Sequence, residues 1–185
     1  MYQVLRSDDA GYVSSLLDKL VARYPEEATP LTDTAPTIRA VPRTPSNQRF
    51  RPVGHITVDD SQPAVLRYGL DIPTADAFWI KSLYVSYALQ GSGVGRAAMD
   101  AIEQLATEPP LSARHLLIDT LHRDDQLDEE MAMAYHGAVP KAANQDWYHR
   151  RGYRLIGEIL NFYDDNRDRS GKVWDLRTVI LRRDL

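Results

Sequence analysis

The chain contains no cysteine. Disulfides, cysteine–zinc centres and a thiol nucleophile are thereby excluded. The composition suits a reducing compartment, so the cytoplasm is the expected location, with the nucleus left open. No apolar run approaches the ~20 residues of a membrane span, and the N-terminus lacks the basic segment and apolar stretch of a secretory signal. An excess of positive charge is missing too: 22 Lys and Arg stand against 26 Asp and Glu, a net charge of -4. That balance argues against a nucleic-acid partner and favours cationic substrates, and with no spanning stretch no membrane partner is expected. His55, His115, His122, His136 and His149 form no i, i+4 pair, so no metal site is expected. What is present is the ordinary mixture of a globular protein, 43% hydrophobic and 26% charged. Its 185 residues suit a single domain, 1–185, with one sizeable core.

A short first strand is expected over residues 2–6. Val13, Leu16, Leu17, Leu20 and Val21 then fall on one face of a helix over residues 8–23, capped by Ser7 or Asp8 and closed before Pro25. Residues 25–52, with Pro25, Pro30, Pro36, Pro42, Pro45 and Pro52, read as a long Pro-rich loop. Residues 53–58 and 64–70 read as an antiparallel hairpin turning near Pro63, and residues 78–85 as a third, more apolar strand. Residues 115–119 have the apolarity of a buried central strand. Helices are expected after residue 94, ending at Pro109 and Pro110, and over residues 141–151, with Gly152 just past the end. Residues 121–140 form a polar insertion with a short helix near 129–135, and strands over 153–162 and 173–182 close the chain. This order implies a mixed α/β domain, with a parallel pair across the central helix and antiparallel pairs at the hairpins.

The most informative stretch runs through Leu83, Tyr84 and Val85 to Gln90, Gly91, Ser92, Gly93, Val94, Gly95 and Arg96. It reads as a strand, a glycine-rich turn and a helix opening at about Val94. A helix start leaves amides without partners at the positive end of the macrodipole, which suits a phosphate. Glycine lets the backbone approach that phosphate because no Cβ intervenes. A P-loop would end in Gly-Lys-Ser/Thr, but Arg96 and Ala97 follow Gly95. A dinucleotide fingerprint would need glycine where Arg96 stands. A tight strand-to-helix turn with no ligand is the simplest alternative.

Leu83-x-Val85 leading to Gln90, Gly93 and Gly95, with Arg96 behind them, resembles motif A of the GNAT N-acetyltransferase superfamily, Gln/Arg-x-x-Gly-x-Gly/Ala. Downstream, Trp147 and Tyr148, then three residues, then Gly152 and Tyr153 resemble its motif B. Residues 4–10 resemble its opening strand-to-helix passage. The resemblance spans about residues 2–182. It implies a GNAT-like acyl-CoA N-acyltransferase fold, a central, mostly antiparallel, splayed sheet flanked by helices.

It also implies acetyl-CoA as co-substrate, no metal, and direct transfer of acetyl in a ternary complex to a primary amine of a small molecule or peptide. By resemblance, Gln90, Gly91, Ser92, Gly93, Val94, Gly95 and Arg96 would hold the pyrophosphate. Leu83, Tyr84 and Val85 would take the pantetheine arm, with the Val85 N–H polarising the thioester carbonyl. Tyr148 would protonate the departing thiolate, and Trp147 would pack. Many members carry a glutamate on the motif A strand, but residues 78–90 contain no carboxylate and one charge, Lys81. The base is therefore sought at Asp76, at Asp119 or through water, although a strand-end carboxylate also serves turns and caps. Lys141 stands where the family often has asparagine, and Asn144 where a small residue is usual; Asn144 is the remaining candidate CoA contact. The alternative is a catalytically weakened acyl-CoA-binding module of the same fold. A monomer or homodimer is expected.

Two charged stretches complete the reading. Asp164, Asp165, Asn166, Arg167 and Asp168 resemble the start of a calcium loop, but Arg169 occupies the place of the required glycine and Asp175 that of the glutamate. A solvated hairpin loop that attracts a cationic amine is expected instead. His149, Arg150 and Arg151 are expected to face a helix C-terminus, with the CoA 3′-phosphate as their other partner.

Overall fold

The computed structural model describes residues 9–38, 41–73 and 75–185. The strand expected over residues 2–6 and the caps Ser7 and Asp8 lie outside these. The chain divides into two compact units, Met1–Thr57 with Ser82–Ile102, and Val58–Lys81 with Glu103–Leu185.

In the first unit, α1 (Ala10–Arg23) is capped by Asp9, whose carboxylate accepts the Tyr12 amide at 2.9 Å. That bond satisfies one of the amides a helix start leaves unpaired. Leu16 and Leu20, one turn apart, bury their side chains with Val53, Leu89 and Val94. Burial of each leucine contributes about 1.5–3 kcal/mol. The Pro-rich stretch has structure of its own: β1 (Leu31–Thr32), β2 (Thr37–Ile38), β3 (Val41–Pro42) and β4 (Arg49–Phe50). β1 pairs with β4 and β2 with β3, both antiparallel. Asp33 locks this pair of short ladders, accepting from Arg43 Nη1 at 3.0 Å, the Ser46 amide at 3.0 Å and the Ser46 hydroxyl at 2.7 Å. The Arg43 guanidinium, helped by Ser46, holds the Asp33 carboxyl well below the usual range.

β5 (Gly54–Asp59) lies beside β6 (Ala77–Val85). The two backbones meet so closely at Gly54 that a Cβ there would sit 2.1 Å from the Tyr84 carbonyl oxygen. Backbone cannot yield as a side chain can. Gly54→Ala is therefore expected to cost about 3 kcal/mol or more, read as a lower urea midpoint.

In the second unit, β6 pairs with β7 (His115–Leu121), which pairs with β9 (Arg177–Asp184), which pairs with β8 (Arg154–Leu160). The β6–β7 pair is parallel and the other two antiparallel. The expected mixed sheet flanked by helices is therefore present. Val65, Trp79, Leu117, Ile159, Phe162 and Ile180 form its core.

Three expectations need correction. Residues 64–70 form no strand. Pro63 starts α2 (Pro63–Leu66) at the first helical position, where its missing N–H costs nothing. Strand alternation would turn Leu66 inward, yet Val65 is the fully buried residue and Leu66 is exposed. Residues 121–140 carry two helices rather than one, α4 (Arg123–Leu127) and α5 (Glu129–His136). Asp128 caps α5 through the Met131 amide at 2.8 Å, and Asp125 ties α4 to β9 by accepting the Arg177 amide at 2.7 Å. Finally, α6 (Asn144–Arg150) starts later than residue 141, and the last strand later than residue 173. Gly152 does follow α6 with a φ of 89°, as its place there requires.

Glu103, near the end of α3 (Val94–Thr107), is buried and accepts from Arg151 at 2.7 Å, Arg183 at 2.6 Å and the Tyr153 hydroxyl at 3.1 Å. Removing the carboxylate would take away the counter-charge that Arg151 and Arg183 share there. Glu103→Gln is expected to destabilise the protein by about 3 kcal/mol, checked by thermal unfolding.

Candidate active site

In the first unit β6 ends at Val85, a single 3-10 turn follows over Tyr87–Leu89, and α3 opens at Val94. Gly91 and Gly93 have φ of 80° and 88°, left-handed values that cost other residues about 1–2 kcal/mol. Among the described residues nothing lies within 4 Å of a Cβ built on either, so both face open space there. Ser92 ties the turn down. Its amide donates to the Leu89 carbonyl at 3.2 Å, and its own carbonyl accepts the Tyr12 hydroxyl from α1. Gln90 donates from Nε2 to the Val85 carbonyl at 3.4 Å, bracing the turn against the strand.

Among the described residues, the amides of Gly93, Val94, Gly95 and Arg96 have no protein acceptor; the first ladder bond runs from the Ala97 amide to Gly93 at 3.0 Å. The Arg96 side chain is exposed and makes no ion pair among the described residues. Free amides, a guanidinium and the positive end of the macrodipole suit a doubly charged pyrophosphate. The residues present therefore fit that group. Gly95 differs from its neighbours: its φ is not left-handed, and a Cβ would meet Val85 Cγ2 at an ordinary 3.7 Å. Gly95→Ala is expected to raise stability by about 0.5 kcal/mol through helix propensity, seen as a small increase in Tm.

The β6–β7 ladder ends at Trp79↔Leu117, while β6 runs on through Leu83, Tyr84 and Val85. Ser82, with a φ of 53°, bends the strand just before them. Leu83 and Val85 are half-buried and Tyr84 is exposed.

In the second unit Tyr148 lies on α6, 7% exposed, its ring 5.0 Å from Trp147 and 5.9 Å from Tyr153. Burial, and after it the charge of Asp119, push its hydroxyl up to about 12. The proton therefore stays on through the physiological range. Asp119 sits on β7 opposite Ile180, two residues from Leu117 and so on the same face of the sheet. Its carboxylate accepts the Tyr163 hydroxyl and, at 3.5 Å, the Gln62 side-chain amide. Both donors are neutral. Asp33, Glu103 and Asp125 are each paired with an arginine, whereas no cation faces Asp119 among the described residues. The second unit thus brings Tyr148 and Asp119 under one another's influence and adds Tyr163 and Gln62, which nothing in the sequence singled out.

The remaining candidates are placed as follows. Asp76 serves the turn into β7: its carbonyl accepts the Arg114 and His115 amides at 2.8 and 3.1 Å, and its carboxylate faces Arg114 at 3.7 Å. Asn144 opens α6 with an exposed side chain, its amide held by Gln126 Oε1 at 2.7 Å. His149 and Arg150 lie in the last turn of α6, but Arg151 is committed to Glu103 and covers the Trp147 ring at 5.6 Å. Trp147 is half-buried, whereas Tyr148 beside it is buried. Asp168 is used by its own loop, accepting from Ser170 Oγ at 2.6 Å, Trp174 Nε1 at 2.9 Å and the Lys172 amide at 3.1 Å. The Ser170 hydroxyl, then the Trp174 indole, hold its carboxyl down at about 2. Among the described residues no group of three His, Asp or Glu side chains is arranged to hold a metal ion.

No family model and no curated protein matches the chain. Solved structures similar to it include acetyltransferases. One is an IAA acetyltransferase from Bacillus cereus, 16% identical, with 63% of this chain and 67% of that one covered and a TM-score of 0.41. Another is the aminoglycoside 6′-N-acetyltransferase from Enterococcus faecium, 12% identical over 100% of this chain and 97% of that one, with a TM-score of 0.44. A third, NAA60 of Arabidopsis thaliana in complex with acetyl-CoA, is 11% identical over 72% and 65%, again with a TM-score of 0.44.

Proposed function

We propose that this chain is a GNAT-type N-acetyltransferase that uses acetyl-CoA to acetylate a primary amine of a small molecule or protein. The observation that carries the reading is the turn at Gly91 and Gly93, with the free amides of Gly93, Val94, Gly95 and Arg96 behind it. Those amides hold the pyrophosphate, Arg96 adds its charge, and Gln90, Gly91 and Ser92 keep the turn in shape. The backbone of Leu83, Tyr84 and Val85 takes the pantetheine arm, the Val85 N–H facing the thioester carbonyl, and Asn144 adds a CoA contact. Acetyl-CoA, when bound, supplies the acetyl group as an activated thioester.

The proton chemistry falls to Asp119 and Tyr148. The unneutralised charge of Asp119 attracts the acceptor ammonium and then takes its proton, freeing the nitrogen lone pair for attack. Tyr148, which holds its proton at neutral pH, donates to the sulfur as the carbon–sulfur bond breaks, and the second proton shed by the acetylated nitrogen restores it. The test is a calorimetric titration with acetyl-CoA followed by CoA release over a panel of primary amines. Binding with CoA release that depends on the amine supports the enzyme. Tight binding with no release on any amine favours the second reading, an acyl-CoA-binding module, which the absence of a carboxylate from residues 78–90 supports.

A further inference from the structure

We infer that Tyr163 is a positioning residue for Asp119, an inference that rests on the acetyltransferase reading above. Asp119 lies on the core face of β7, with no cation beside it among the described residues, and hydrogen bonds are what fix its carboxylate in one orientation. Two neutral donors meet that need. Tyr163 gives its hydroxyl and Gln62 its amide, and neither cancels the charge.

Both donors are carried by segments anchored in the core, Gln62 by the turn that buries Val65 and Tyr163 by its neighbour Phe162. Gln62 precedes α2, its carbonyl accepting the Val65 amide at 3.0 Å. The helical turn that replaces the expected strand thus delivers Gln62 to Asp119. Tyr163 follows the end of β8, its ring edge-on to buried Phe162 at 4.9 Å. Asn161 pins that bend with a φ of 52°, donating to Asp175 at 2.8 Å and accepting from the Leu176 amide at 3.0 Å. Burial, and after it the bond to Asp119, push the Tyr163 hydroxyl upward, so it remains a donor when Asp119 takes a proton from the acceptor. Tyr163 itself transfers nothing. It keeps the carboxylate aimed, and its bond weakens as Asp119 becomes protonated, which returns the proton to solvent for the next cycle.

The test uses the full chain and three variants. Tyr163→Phe is expected to lower kcat about 10-fold with the affinity for acetyl-CoA and the Tm unchanged. In Asp119→Asn, adding Tyr163→Phe is expected to lower kcat no further, because the two act through one group. Ultraviolet difference spectra between wild type and Tyr163→Phe, followed through alkaline titration, are expected to show this phenol ionising late, and earlier once Asp119→Asn is introduced. Additive losses in the double variant, or a fall in kcat matched by a fall in Tm, overturn the positioning role. Wild-type protein that binds acetyl-CoA but turns over no amine overturns the acetyltransferase reading and this role with it. The spectra then show separately whether the Tyr163–Asp119 pair exists.

Discussion

Gly93→Ala is expected to weaken acetyl-CoA binding about 100-fold, the loss of one or two charge-assisted hydrogen bonds, while costing the fold only about 1–2 kcal/mol. The two effects have different origins. The fold is charged for a left-handed φ of 88°, since no atom of the described residues lies within 4 Å of the new Cβ. On the proposed reading, a phosphate approaching the free amides of Val94 and Gly95 would meet that Cβ. Calorimetric titration beside thermal unfolding separates the two. Gly95→Ala is the internal control: it adds the same atom at the next alternate residue, where the backbone is not left-handed and the contact is ordinary. A binding loss shared equally by both variants would argue against the turn as a specific phosphate cradle.

The second large effect concerns Tyr148. Tyr148→Phe is expected to lower kcat about 100-fold and to leave acetyl-CoA affinity and stability close to wild type. The hydroxyl has no hydrogen-bond partner among the described residues, so its removal orphans no protein group, and the ring contacts to Trp147 and Tyr153 remain. The pH dependence follows from the raised value. With the hydroxyl pushed up to about 12 by burial and by Asp119, the acid form predominates through the neutral and mildly alkaline range. An alkaline fall in kcat centred below about pH 10 therefore belongs to another group. Steady-state kinetics from pH 6 to 10 on both proteins would check this, and a limb in that range that disappears in Tyr148→Phe would contradict the raised value.

Much of this was legible in the sequence, for identifiable reasons. The period of Leu16 and Leu20 marked α1, the alternate glycines marked the turn, and the run from His115 to Ile118 marked β7, because each is a local signal. Residues 64–70 misled because Ala64, Val65, Leu66 and Leu70 satisfy a strand's apolarity; Pro63 starting a helix and Gly69 with a φ of 63° outweighed it. The short ladders between residues 31 and 50 were hidden by the prolines, and what holds them is a side chain, Asp33, rather than a long hydrophobic pattern. At the candidate site Tyr148 was visible because its motif is local. Tyr163 was not: it meets Asp119 across 44 residues of sequence, and no spacing rule encodes a contact made by a bend after one strand with the face of another. The commitment of Arg151 to Glu103, 48 residues away, was hidden for the same reason.

The most direct single measurement incubates the chain with acetyl-CoA and a panel of primary amines, and counts both products by mass spectrometry. The expected result is acetylated amine and free CoA appearing in equal amounts, abolished without the amine and strongly reduced in Asp119→Asn. Free CoA without acetylated amine, or acetyl-CoA left intact beside every amine, would contradict the account.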